Sequence, residues 1–128
     1  MIERVTSTGG PAPRGPYSLG VKAGDYVFVS GQVGVDAATG QLPPGGVGPE
    51  TRQTLLNIQR ILEGAGASLA QVVRCGVFLA DIADFQAMNE VYAEFFGEAK
   101  PARTTVQVVA MPLKAAKVEI DAVAYVGK

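Results

Sequence analysis

The sequence predicts an α/β (α+β) fold: a single sheet with two crossover helices packed on one of its faces. Three observations carry this. Segments of strand and helix character follow in the order strands, helix, strand, helix, strand, strand. Two stretches show apolar residues at helical spacing, and a glycine closes each. Right-handed crossovers put both helices on the same side of the sheet, and the chain has no third helix for the other side.

Residues 8–16 are rich in Gly and Pro and read as an ordered loop. Tyr26-Val27-Phe28-Val29-Ser30 is β-branched and aromatic between turn-formers, so it predicts a strand, and Gln32 to Val35 continues it or pairs with it. Thr39-Gly40 and Pro43-Pro44-Gly45-Gly46 mark a loop from Asp36 to Gly48. The first helix runs from Pro49 to Ala65, with Leu55, Ile58, Leu62 and Ala65 as its apolar stripe and Gly66 just past its end. Val72 to Leu79 is apolar on both parities and reads as a central strand. The second helix spans Ala83 to Phe96, capped by Asp81 or Asp84 and stopped by Gly97; its stripe is Phe85, Met88, Tyr92 and Phe95 or Phe96. Two strands follow, Thr104 to Val109 and Val118 to Val126, joined by Met111-Pro112-Leu113-Lys114 as a short turn.

At 128 residues the chain is expected to form one domain, residues 1–128. It is 48% hydrophobic and only 18% charged, more apolar than a small monomer needs, so part of its surface is expected to lie against copies of itself. The formal charge is -1 and the cations are scattered, which argues against nucleic acid as the main partner. No apolar run approaches the about 20 residues of a membrane span, and Met1-Ile2-Glu3-Arg4 does not begin a signal peptide. One Cys and no His leave no disulfide framework and few ligands for zinc or iron. A cytoplasmic protein without a metal is the expectation.

Side chains alternate across a strand. In the last strand Val118, Ile120, Ala122 and Ala124 form the natural helix-facing set, so Glu119 and Asp121 point to the face the helices leave open. In the preceding strand Arg103, Thr105 and Gln107 share a parity, and pairing of the two strands would put Arg103 and Glu119 on the same face. A guanidinium that grips a carboxylate and a Glu that handles a water would make a small, metal-free hydrolytic site. A cross-strand ion pair contributing about 0.2–1 kcal/mol accounts for the same pattern. Against it, charges on an oligomer-facing surface are expensive unless paired or used.

The chain resembles the Rid family, also called YjgF or L-PSP, over nearly its whole length. The likeness lies in Gly15-Pro16-Tyr17-Ser18, Val27-Phe28-Val29-Ser30-Gly31-Gln32 and the helix around Thr51-Arg52-Gln53-Thr54-Leu55-Leu56-Asn57. It continues in Val77-Phe78-Leu79-Ala80-Asp81 leading to Met88-Asn89-Glu90-Val91-Tyr92-Ala93-Glu94-Phe95-Phe96, in Pro101-Ala102-Arg103-Thr104-Thr105-Val106, and in Val118-Glu119-Ile120-Asp121-Ala122. The resemblance implies a chorismate-mutase-like fold and a homotrimer with a site in each cleft between subunits. It implies hydrolysis of reactive enamines and imines, such as 2-aminoacrylate, 2-iminopropanoate and 2-iminobutanoate, to 2-oxo acids and ammonia without a cofactor.

Carried onto this chain, the resemblance assigns Arg103 to the substrate carboxylate, whose planar fork Lys could not reproduce. It assigns Glu119 to the attacking water, Tyr17 to the cleft wall, Ser30 and Asn89 to polar lining, and backbone near Gly31 and Thr105 to ligand positioning. By themselves these residues have other readings. Tyr17 suits packing, Ser30 beside Gly31 suits turn chemistry, and Asn89 suits a satisfied buried amide. Cys75 reads as a small core residue. Four positions depart from the family's usual pattern and bear on cleft shape and charge: Leu19-Gly20 after the loop, Arg14 where an apolar residue is common, and Thr105 where some members have Cys. Two other functions suit the same scaffold: a non-catalytic 2-oxo-acid binder or regulator, and an endoribonuclease or translation inhibitor. A pure carboxylate binder gains little from Glu119, and the ribonuclease reading lacks a basic stripe and any histidine.

Overall fold

A computed structural model describes residues 1–128. The elements are β1 (Ile2–Val5), β2 (Gly20–Ala23), β3 (Tyr26–Val33), α1 (Val47–Gly64), β4 (Val72–Leu79), α2 (Phe85–Phe96), β5 (Ala102–Gln107) and β6 (Val118–Tyr125). Six strands form one mixed sheet in the order β1-β2-β3-β6-β4-β5. Only β4 and β5 are parallel, as the helical crossover between them requires. The two predicted helices and four predicted strands form, and the helices pack together on one face of the sheet. Strands β1 and β2 leave no periodic signal in the sequence, because each has only four residues.

The sheet order corrects one expectation. β5 and β6 do not pair, because β4 lies between them. The connection from Val108 to Lys117 is no tight hairpin. It crosses the end of β4, where Val108 N–H donates to Leu79 O at 2.9 Å and Ala80 N–H to Lys117 O at 3.0 Å.

Alternation sorts each strand. Val27 and Val29 of β3, Cys75, Val77 and Leu79 of β4, and Val118, Ile120, Ala122 and Ala124 of β6 are buried beneath Leu55, Ile58, Ile61 and Leu62 of α1 and Met88 of α2. Each fully buried large aliphatic side chain here contributes about 1.5–3 kcal/mol of transfer free energy. The opposite face is bare. Tyr26 (45% exposed), Phe28 (48%) and Tyr125 (39%) lie on it, with Val73 and Val106 also exposed. The accessible surface, 7075 Å², exceeds the about 6,400 Å² that a compact monomer of this mass presents.

Two buried polar side chains of α1 fix the strand ends that flank the bare face. Asn57, 2% exposed, donates to Val33 O (3.1 Å) and Val35 O (2.9 Å), and its own oxygen accepts from Gln53 Nε2 at 3.0 Å. Glu50 accepts the Lys117 N–H at 2.8 Å, one residue before β6 begins. Both groups are hydrogen-bonded, which offsets part of the cost of burying them, whereas a lost partner leaves backbone groups stranded. Asn57→Leu therefore abandons two carbonyls under α1 and lowers the unfolding free energy by about 2–3 kcal/mol; urea denaturation of both proteins measures this.

Candidate active site

The seven residues singled out in the sequence divide into two groups on opposite faces of the sheet. Tyr17, Ser30, Gly31 and Glu119 meet in one cleft of about 540 Å³, together with Arg14, Val33, Pro112 and Leu113. Arg103, Thr105 and Asn89 lie on the helix side. Arg103 and Thr105 sit level with Cys75 and Val77 of β4, which face the helices. The expectation that Arg103 and Glu119 share a face within one chain is thus overturned. It assumed β5 beside β6, and the intervening β4 sets the parity of β5 instead.

Glu119 is positioned by register. It lies opposite Val33 of β3 and Phe78 of β4, turned from the helices. A bulge in β3 between Val29 and Gln32 brings Gly31 beneath it. A side chain at position 31 would collide with the Glu119 carboxylate, so the bare backbone is what gives the carboxylate its place. Burial pushes the Glu119 pKa above the usual carboxylate value, and the like charge of Asp121 two residues along adds to the rise. Asp121 itself accepts the Gly76 N–H at 2.8 Å. A carboxylate held this way takes up a proton more readily than one in water.

Ser30 borders the cleft with its proton already committed. Its hydroxyl donates to Ser18 O at 2.6 Å and its N–H to Leu19 O at 2.9 Å. Toward a ligand the Ser30 oxygen is therefore an acceptor. Tyr17, 46% exposed, accepts the Arg14 N–H at 3.3 Å, which folds the loop over the cleft.

On the other face Arg103 is held by aromatic rings. Its guanidinium carbon lies 4.8 Å from the Tyr92 ring centroid and 5.5 Å from that of Phe85. Asn89, half-buried, follows Phe85 by one helical turn and precedes Tyr92 by another, so it belongs to this cluster. The buried Tyr92 and Thr105 hydroxyls have no hydrogen-bond partner. Burial, with the Cys75 thiol alongside, pushes the Tyr92 pKa up, and burial does the same for Cys75. Cys75 is thus a core thiol, as its sequence pattern predicts. No group of three His, Cys, Asp or Glu side chains converges to hold a metal ion, and no helix is long and apolar enough to cross a membrane.

In the sequence an aromatic stripe at helical spacing reads as core, so the Tyr92 and Phe85 shelf beneath Arg103 carries no signal of its own there. Arg14 stands out in the sequence only as an unusual residue in its loop.

The sequence profile of the Endoribonuclease L-PSP family matches residues 8–126. The chain belongs to the Rid (YjgF/L-PSP) family. This Rid chain is 48% identical to a RutC family protein of Pyrococcus horikoshii over 98% of each chain. It is 47% identical to a protein of Capra hircus named 2-iminobutanoate/2-iminopropanoate deaminase, over 99% of this chain and 93% of that one. Among solved structures, Escherichia coli TdcF with bound serine superimposes with a TM-score of 0.89 at 37% identity, over 96% of this chain and 98% of that one.

Two outcomes follow from the geometry of this Rid site. Because its folded-state pKa is raised, Glu119 favours the fold below the ordinary carboxylate pKa, and that contribution is lost as pH rises through the raised value. Asp121→Asn removes the like charge and moves the Glu119 titration toward the ordinary value, read by carboxyl-carbon NMR; an unmoved titration would refute the coupling. Gly31→Ala displaces the Glu119 carboxylate and changes its titration in carboxyl-carbon NMR, while circular dichroism still reports a folded sheet.

Proposed function

We propose that this Rid chain is a cytoplasmic enzyme that hydrolyses reactive 2-imino acids and their enamine tautomers to 2-oxo acids and ammonia. Its site is completed between copies in a homotrimer. The observation that carries the reading is the Glu119 carboxylate, made basic by burial and Asp121 and laid against Gly31 in an open cleft. The name of the Capra hircus relative supports the reaction type. The bare apolar face supports association, and the opposite placement of Arg103 supports supply of the carboxylate anchor by a second copy.

The chemistry needs no covalent nucleophile, because an iminium carbon is already electrophilic. Arg103 of one copy grips the substrate carboxylate through two parallel N–H bonds. Glu119 of another copy takes a proton from water as its oxygen bonds to C2, and the C=N π electrons move to nitrogen. Glu119 returns that proton to the nitrogen. The C–N bond then breaks, ammonia leaves with the bonding pair, and the hydroxyl gives its proton to the free Glu119 carboxylate as the 2-oxo group forms. An enamine substrate first takes a proton from solvent at C3 to become the iminium, the electrophile that water attacks. The Ser30 oxygen, an acceptor only, suits the N–H groups of the substrate.

An endoribonuclease reading is less well served. The Glu119 cleft holds one arginine beside one carboxylate, where a phosphodiester chain calls for clustered cations.

The test generates the imine with an amino-acid oxidase and follows its decay. Wild type accelerates decay, and Arg103→Ala and Glu119→Gln each lose it, the latter while still binding a 2-oxo acid. Refolding an equimolar mixture of the two inactive variants restores roughly a quarter of the activity, since random assembly leaves that share of sites with one intact residue from each copy. No recovery on mixing would place both groups in one chain and refute the shared site.

A further inference from the structure

The Glu119 cleft carries a cation that the reaction above does not use. Arg14 lines it beside Tyr17, Gly31 and Glu119. It has no carboxylate partner, since the two ion pairs of the chain are Arg52–Glu94 and Lys117–Glu50. Its loop is not loose there. The Arg14 N–H donates to the Tyr17 hydroxyl, and the Tyr17 N–H donates to Gly15 O at 2.8 Å.

A 2-imino acid with an aliphatic side chain has one anionic end, which Arg103 of a second copy takes in the function proposed above. The remaining arginine then faces the substrate's side chain. Beside it Val33, Pro112 and Leu113 supply apolar wall, so a short methylene chain ending in an anion matches what the cleft presents. We infer that Arg14 selects substrates with a second carboxylate: 2-imino and 2-oxo acids whose side chain ends in an acidic group. This rests on the deaminase reading for the orientation of the substrate, with Arg103 at one end and Arg14 at the other. A guanidinium fork pairs with a terminal carboxylate more strongly than an ammonium does. The reaction that supplies such a substrate would be oxidation of an acidic amino acid to its imine.

Calorimetric titration of the assembled protein with 2-oxoglutarate and with 2-oxobutanoate tests this without needing turnover. Wild type binds the dicarboxylate tighter by about tenfold, one charge-assisted contact. Arg14→Gln brings the ratio of the two dissociation constants to about one, and Arg14→Lys restores part of it. Arg14 lies in a surface loop outside the core, so its variants fold. Equal affinities in wild type, or a preference that survives Arg14→Gln, overturn the inference. The two readings fail differently. Dicarboxylate preference lost with Arg14, but no imine turnover in wild type, refutes the deaminase and leaves Arg14 as a selector. Turnover of aliphatic imines with equal affinities refutes Arg14 and leaves the deaminase.

Discussion

Everything about the site depends on where β6 runs. It lies between β3 and β4, antiparallel to both, and alternation along it leaves no freedom. Val118, Ile120, Ala122 and Ala124 must be buried under the helices, so Glu119 and Asp121 must face away from them. A slip of one residue would drive two carboxylates into the core and expose four apolar side chains. Glu50 and Asn57 oppose such a slip by holding the start of β6 and the end of β3 from the same helix.

The same constraint shapes the electrostatics. Two carboxylates two residues apart on one strand face the same way, and the neighbouring strands answer with glycine. Gly31 lies under Glu119 and Gly76 donates to Asp121. The backbone approaches each carboxylate where a side chain would shield it. Asp121 is thereby satisfied, while Glu119 is left basic at the edge of a cleft. Around them Tyr26, Phe28, Val106 and Tyr125 make the face apolar, which favours covering it and raises the cost of any charge left idle there.

Arg103 obeys the other half of the rule. β5 takes its parity from β4 through parallel pairing, so its arginine stands over α2, stacked on Tyr92 and Phe85. Arg103 and Glu119 therefore stand on opposite faces of one chain, and the proposed reaction, which uses both, draws them from two copies. Tyr92, the nearer of the two rings against Arg103, is also part of the core under α2, whereas Phe85 is exposed, so one ring that stabilises the helix also orients the guanidinium.

Much of this was legible in the sequence. Helical spacing gave both helices, β-branched runs gave four strands, and the parity of Val118 to Tyr125 put Glu119 on the open face. Those signals are local: each depends on residues two to four apart, where the period of the side chains is a property of the element itself. β1 and β2 were too short for a period, although Gly24-Asp25 between β2 and β3 is a two-residue turn of hairpin type. The sequence determined which side chains share a face of their own strand. Which strand lies beside which was decided by the tertiary structure alone. Pairing joins residues tens of positions apart, and whether Arg103 meets Glu119 depends on β4 entering between their strands. No pattern within either strand encodes that, because it is the helical crossover and the burial of the whole sheet that select it.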